Sequence, residues 1–231
     1  MSTVKPLEHS IEGKPDFAFL TVKLPAGEMI KVEASAMQAM DRHIKMRTRL
    51  KGGFKRLISG ENLFLNEFTA EGKDGEIVIG SAVPGDIKRL YLTKGGPSLF
   101  LQSSGFLASS SGIETTTKFQ GLIKGFFSGA GFFLIKCSGE GDIFFNSYGG
   151  IIEVQINDEF TIDNNHIVAF TEGLEYSVHK FGGYKSFFFS GEGLITRFRG
   201  QGRVWIQTRA MPSLIAWLNP FRQVVTKTKR N

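Results

Sequence analysis

Short runs of β-branched and aromatic residues, stopped within a few positions by Gly, Pro, Asn or Asp, recur from one end of this chain to the other. That punctuation constrains the fold more than any other feature. It leaves little room for long helices and asks for many short strands joined by tight corners. Phe17 to Leu24 alternates, with Ala18, Leu20, Val22 and Leu24 on one face. Ile30 and Val32 alternate with Lys31 and Glu33, and Ile152, Val154 and Ile156 with Glu153 and Gln155. Runs spaced this way predict an all-β, barrel-like or double-sheet body. Lys73-Asp74-Gly75 reads as a hairpin turn. Val83-Pro84-Gly85-Asp86 reads as a second turn, its Pro preset for the first corner. Helix is scarce. Ala34 to Met40 has room for a turn or two. Pro212 to Leu218 is the best candidate, because Pro suits an early helical position and Asn219-Pro220 interrupts any continuation.

Gly-Glu recurs at 27–28, 60–61, 139–140 and 191–192. The clearest pair of segments runs from 139 to 154 and from 191 to 207. The expectation is a repeated hairpin, with Gly at a positive-φ corner and the acid closing the turn. Two similar β lobes would then fuse into one domain over residues 1–210, followed by an apolar and basic tail over 211–231. Phenylalanine is abundant at 22 residues and often doubled, as in Phe126-Phe127, Phe132-Phe133, Phe144-Phe145 and Phe187-Phe188-Phe189. In a strand the two members of a doublet face opposite sides. Both sides must then be covered, by an interface between copies or by a second internal layer.

Charge is unevenly placed. Residues 42–56 hold Arg42, Lys45, Arg47, Arg49, Lys51, Lys55 and Arg56 without an acid. Residues 209–231 hold Arg209, Arg222, Lys227, Lys229 and Arg230, again without an acid. The net charge of +6 therefore hides a mildly acidic body with two basic appendages. The single cysteine, Cys137, rules out a disulfide framework. No apolar run approaches the ~20 residues needed to span a bilayer. The opening MSTVKPLEHSIEGKPDF lacks the apolar segment of a secretory signal, which sets a cytoplasmic expectation.

Several motifs, in order, carry a resemblance. They are Leu24-Pro25-Ala26-Gly27-Glu28; Ile58-Ser59-Gly60-Glu61-Asn62-Leu63-Phe64; Pro84-Gly85-Asp86-Ile87; and Gly139-Glu140-Gly141 with Ser147-Tyr148-Gly149. Asp163-Asn164-Asn165-His166, Gly191-Glu192-Gly193-Leu194 and Gly202-Arg203-Val204-Trp205 complete the set. From about residue 16 to 210 the chain resembles the altered-inheritance-of-mitochondria (mitochondrial biogenesis) family, as a prokaryotic-type member of unknown function. The resemblance implies a barrel-like body related to the tryptophan RNA-binding attenuation protein. It also implies a homo-oligomer, expected as a trimer, and for mitochondrial members a link to the inner membrane. It supplies no catalytic residues.

Chemistry-bearing motifs are sparse. His9, His43, His166 and His179 are not spaced as metal ligands. Cys137 ends an apolar strand and reads as a buried thiol. There is no P-loop and no nucleophile elbow. Gly139-Glu140-Gly141 precedes a strand, not a helix N-terminus. No metal and no cofactor is therefore expected. An enzyme or small-ligand binder using the barrel interior is the third candidate class.

The basic segments give the candidate sites. If residues 44–51 are extended, Lys45, Arg47, Arg49 and Lys51 form one charged face, with Ile44, Met46 and Leu50 opposite. Such a face either defends an edge strand or binds phosphates of lipid headgroups or nucleic acid. In the tail, Trp217 and Phe221 precede Arg222, Lys227, Lys229 and Arg230. The tail either packs on the body or contacts an anionic membrane face. The expected function is a non-enzymatic homo-oligomeric scaffold, with RNA binding as the alternative.

Overall fold

The computed structural model describes residues 5–49, 65–119, 133–180 and 194–222. They form an all-β body with one short C-terminal helix. Two strands lead in, β1 (Glu8–Glu12) and β2 (Phe19–Leu24). A first unit comes next: β3 (Met29–Glu33), β4 (Met37–Met40), β5 (Ile44–Arg49), β6 (Leu65–Ala70), β7 (Gly75–Gly80) and β8 (Ile87–Leu92). A second has β9 (Leu99–Gln102), β10 (Phe106–Ser110), β11 (Ile113–Phe119), β12 (Phe133–Gly139), β13 (Gly141–Asn146) and β14 (Ile151–Ile156). The third has β15 (Glu159–Asp163), β16 (Ile167–Thr171), β17 (Glu175–Lys180), β18 (Leu194–Arg199) and β19 (Gly202–Gln207), and ends in α1 (Met211–Leu218).

The strands fall into four sheets, ordered β1-β2-β7-β4, β5-β6-β3-β10-β13-β8, β11-β12-β9-β16-β19-β14 and β15-β18-β17. One pairing rule generates this order three times. In each unit the fourth strand lies between the first and the third, as in β3-β6-β5, β9-β12-β11 and β15-β18-β17. The second strand pairs with the fifth in the neighbouring sheet, with the same register slip in every copy: between Met37 and Ala39, Phe106 and Ala108, and Ile167 and Ala169. Such a bulge bends the strand and lets one unit serve two sheets. Units join where β10 pairs with β3 and β16 pairs with β9. Among the described residues the sheets keep open edges, so the body is built of several sheets and no closed barrel is seen.

Several expectations change in consequence. The pairing counts three units where the Gly-Glu recurrence suggested two lobes. The repeated hairpin is a corner instead: β13 and β14 lie in different sheets, as do β18 and β19, and β12 and β13 are parted in the same way. Gly139 (φ 110°), Gly141 (φ 137°) and Gly200 (φ 111°) make those corners in the left-handed region open to glycine. Lys73-Asp74-Gly75 likewise carries the chain between sheets, since β6 and β7 do not pair. Ala34 to Met40 holds no helix: after a turn at 34–36 the chain extends as β4 (Met37–Met40), held by its pairing with β7. The Gly-Glu dipeptides at 60–61 and 191–192 lie outside the described residues.

Three cores fill the layers. The first gathers Leu20, Val22, Ile30, Val32, Phe68, Ile77, Ile79 and Phe144. The second includes Leu99, Leu101, Phe106, Ile143, Phe145 and Trp205, and the third Phe170, Phe198 and Val204. The Phe144-Phe145 doublet on β13 sends one ring into the first core and the other into the second, and both are wholly buried. Two-sided burial results, as the strand period requires, but layers of the same chain provide it. This doublet is therefore no argument for an interface between copies. Phe126-Phe127 and Phe187-Phe188-Phe189 lie outside the described residues.

Candidate functional site

The basic segment forms β5, the edge strand of its sheet. Ile44 is buried opposite Ala70, which anchors the strand. Beyond it the expected two-faced pattern breaks down. Lys45 and Arg47 are exposed, and so is Met46, at 50%. Arg47 stands opposite Glu67 of β6, which lowers the local positive charge. Arg49 closes the strand, and Lys51 lies outside the described residues. Among the described residues the strand thus carries exposed charge at the edge of its sheet.

The tail helix differs more sharply from an ordinary surface element. Pro212 sits in its first turn, Leu214 N donates to the Ala210 carbonyl at 3.3 Å, and the Asn219–Phe221 turn ends it. No residue of α1 is buried. Ile215 is 60% exposed, Trp217 65%, Leu218 47% and Phe221 72%. The Trp217 and Phe221 rings lie 5.6 Å apart, and exposed Arg222 comes directly after. Among the described residues, α1 is half-buried only at Met211 and Leu214, and from Ile215 onward the tail does not pack on the body. Lys227, Lys229 and Arg230 lie outside the described residues.

The residues weighed for chemistry have structural partners. His9 Nδ1 lies 2.8 Å from the Leu7 carbonyl, His43 Nε2 2.9 Å from that of Asp74, and His166 Nδ1 2.7 Å from that of Gln207. His179 Nε2 meets Ser177 Oγ at 2.7 Å. Among the described residues no group of three or more His, Cys, Asp or Glu side chains is placed to hold a metal. Cys137 is fully buried, and burial pushes its thiol up to about 12. That removes the thiolate needed for nucleophilic chemistry at neutral pH. Glu159 pairs with Arg197 and Arg199, and Asp163 accepts the Asn165 N–H.

Two features escaped sequence reasoning. A cavity of about 250 Å³ is lined by Glu33, Gln102, Asn146, Tyr148, Gln207 and Met211, among others. Burial pushes the Glu33 carboxyl up to about 7. Asn146 Nδ2 donates to Ser81 Oγ at 2.7 Å, while its buried Oδ1 has no partner. Lys31, expected on an outward face, is buried and donates to the Ser111 and Ile113 carbonyls at 2.8 and 2.6 Å. Alternation in β3 gave no sign of either, because the next unit covers the face that a lone sheet would leave wet.

No helix among the described residues is long and apolar enough to cross a membrane. Comparison with known proteins adds identity to this geometry. The profile of the mitochondrial biogenesis AIM24 family matches residues 9–209. An uncharacterized protein of Streptococcus pyogenes serotype M6, M6_Spy0233, is 28% identical over 215 residues, covering 87% of this chain and 86% of that one. The X-ray structure of protein SPYM3_0169 from Streptococcus pyogenes superposes with a TM-score of 0.80 at 24% identity, over 94% of this chain and all of that one. A match over so much of the length, by a profile that ends where the stacked sheets end, places the chain in a family: it belongs to the mitochondrial biogenesis AIM24 family.

Proposed function

We propose that this protein is a non-catalytic, homo-oligomeric scaffold that docks on an anionic membrane face through its C-terminal tail. The observation that carries the reading is α1, an eight-residue helix with no buried residue, whose Ile215, Trp217, Leu218 and neighbouring Phe221 face solvent beside Arg222. An amphipathic aromatic ring is at home at headgroup level, and a cation beside it gains from anionic lipid. The remaining tail residues, through Lys227, Lys229 and Arg230, add charge of the same sign and no acid. Lys45 and Arg47 on β5 supply a second cationic patch for the same surface. The expected cytoplasmic location, at the inner face of the membrane, belongs to this proposal.

A second reading is RNA binding. It draws on the relation to the tryptophan RNA-binding attenuation protein that the family resemblance implies, and on exposed Lys45 and Arg47. It is weaker because β5 offers no aromatic side chain to stack a base and Glu67 faces Arg47.

Co-sedimentation separates these readings. Full-length protein should pellet with phosphatidylglycerol vesicles, and the 1–210 chain should stay in the supernatant. Lipid binding should keep an apolar remainder at high salt, whereas RNA affinity would fall steeply. Equal pelleting of both chains would remove the tail from the mechanism. Replacing Lys45, Arg47, Arg49 and Lys51 by Glu should weaken vesicle binding and spare the fold. Unchanged binding would leave β5 with edge defence alone.

A further inference from the structure

The three-unit pattern has two complete joints and one that is missing. At the first joint Ala108, Ser109 and Ser110 of β10 stand opposite Val32, Lys31 and Ile30 of β3. At the second, Ala169, Phe170 and Thr171 of β16 stand opposite Leu101, Phe100 and Leu99 of β9. The corresponding strands still unmatched are β4, second strand of the first unit, and β15, first strand of the third. Among the described residues both are edges of their sheets.

Burial shows how much these edges lack. Every residue of β10 is buried, and four of five in β16, but β4 has none. Three residues separate first and second strands in each unit (34–36, 103–105 and 164–166), so positions can be matched by count. Ile30, Leu99 and Phe160 then correspond. The first two are 0% and 1% exposed, whereas Phe160 is 48% exposed. Met40 corresponds to Ser109 and Phe170, at 0% and 1%, and is itself 37% exposed. Yet β4 keeps the chemistry of a joint. It has the bulge at the same place, and Ala39 sits where Ala108 and Ala169 meet the facing strand.

We infer that β4 of one copy pairs with β15 of a second copy, making the third joint between molecules. By the register of the other two, Ala39 lies opposite Ile162, Met40 opposite Thr161, and Asp41 opposite Phe160. The strands run antiparallel and extend two separate sheets into one, ordered β1-β2-β7-β4-β15-β18-β17. Backbone N–H and C=O groups of both edges gain partners, and Phe160 and Met40 leave water. The occupant is a second copy because β4 and β15 match each other in register and both come from this sequence. The contact joins two different surfaces, so copies add head to tail. This deepens the scaffold reading by giving the means of assembly, and it fails independently of the membrane contact.

The test uses full-length chains with single cysteines, the native Cys137 being buried. Met40→Cys and Thr161→Cys chains are oxidised separately and as a mixture. Facing residues of an antiparallel pair lie about 4.5–5.5 Å apart at Cα, within disulfide range. The mixture should give a disulfide-linked dimer at least ten times more abundant than either variant alone. Phe160→Lys should lower the native mass to that of one chain while leaving the circular dichroism spectrum unchanged. A wild-type mass of one chain with no cross-link in the mixture would overturn the inference. So would a doubly substituted chain that closes its disulfide within a monomer. Vesicle binding by a dissociated Phe160→Lys chain would leave the membrane reading standing if assembly alone failed.

Discussion

Arg89 Nε donates to the buried Asp142 carboxylate at 2.6 Å, and the other oxygen of Asp142 accepts the Leu7 backbone N–H, also at 2.6 Å. One carboxylate thus ties β8, β13 and the N-terminal segment together, while Ser110 Oγ accepts its own N–H at 2.9 Å. Arg89→Ala would leave Asp142, with no exposed side-chain area, without its counter-ion. Breaking a buried pair from one side costs about 3–5 kcal/mol. Urea denaturation should show a loss of that size. A loss below about 1 kcal/mol would mean that the carboxylate is satisfied without Arg89.

Glu33 predicts a pH dependence of the opposite sign to most acids. Its carboxyl is pushed from 4.5 to about 7 by burial. Below 4.5 the folded and unfolded chains both hold the proton. Between 4.5 and 7 the unfolded chain releases it first, so this group makes stability fall as pH rises, and above 7 the deficit is constant. The second unit places Gln102 at the same position. Glu33→Gln should therefore raise stability at pH 8 by on the order of 1–3 kcal/mol and make no difference at pH 4. Equal gains at both values would refute the burial argument.

Glu172 behaves in the ordinary sense. The Lys136 ammonium at 2.7 Å, then the Ser98 N–H at 2.9 Å, hold its carboxyl down at about 2. Its contribution is present above 4.5 and is lost as pH falls toward 2. The difference in Tm between wild type and Glu172→Gln should shrink across that window. The effect is modest, because Glu172 is 42% exposed and solvent screens the pair.

Gly85 is a packing constraint at the meeting of three connections. It bridges Phe17 on one side and Gly149 on the other. A Cβ there would lie 1.9 Å from the Ser147 carbonyl oxygen, which is backbone and cannot swing away. Gly85→Ala should cost at least about 2 kcal/mol, whereas Gly95→Ala meets no neighbouring atom and pays only for its positive φ. Comparing the two thermal melts checks this.

Fluorescence can report on the tail without truncation. Of the two tryptophans, Trp205 is fully buried and Trp217 is 65% exposed. Anionic vesicles should shift the emission to shorter wavelength in wild type and leave Trp217→Phe unmoved. An equal shift in both would assign the change to the body of the protein.

Strand content and the tail helix were legible in the sequence because both rest on local patterns. Alternation marks β2 and β3, and Pro212 with Asn219-Pro220 frames α1. Connectivity was not legible. A glycine corner that changes sheet, as at Gly139 and Gly141, has the same composition as one that turns a hairpin, and only the distant partner distinguishes them. The same limit hid Glu33 and Lys31, whose outward-looking positions are covered by strands far along the chain. For the candidate site, the charge and grease of the tail were visible, but the exposure of its apolar residues from Ile215 onward was not.

The joints at β3–β10 and β9–β16 carry a further consequence. Each unit lends its second and fifth strands to one sheet and its first, third and fourth to the next, so both six-stranded sheets are built from two units. A fragment cut at any boundary would expose two raw margins rather than one. Such a chain is expected to melt as a whole and to tolerate gain or loss only of an entire unit.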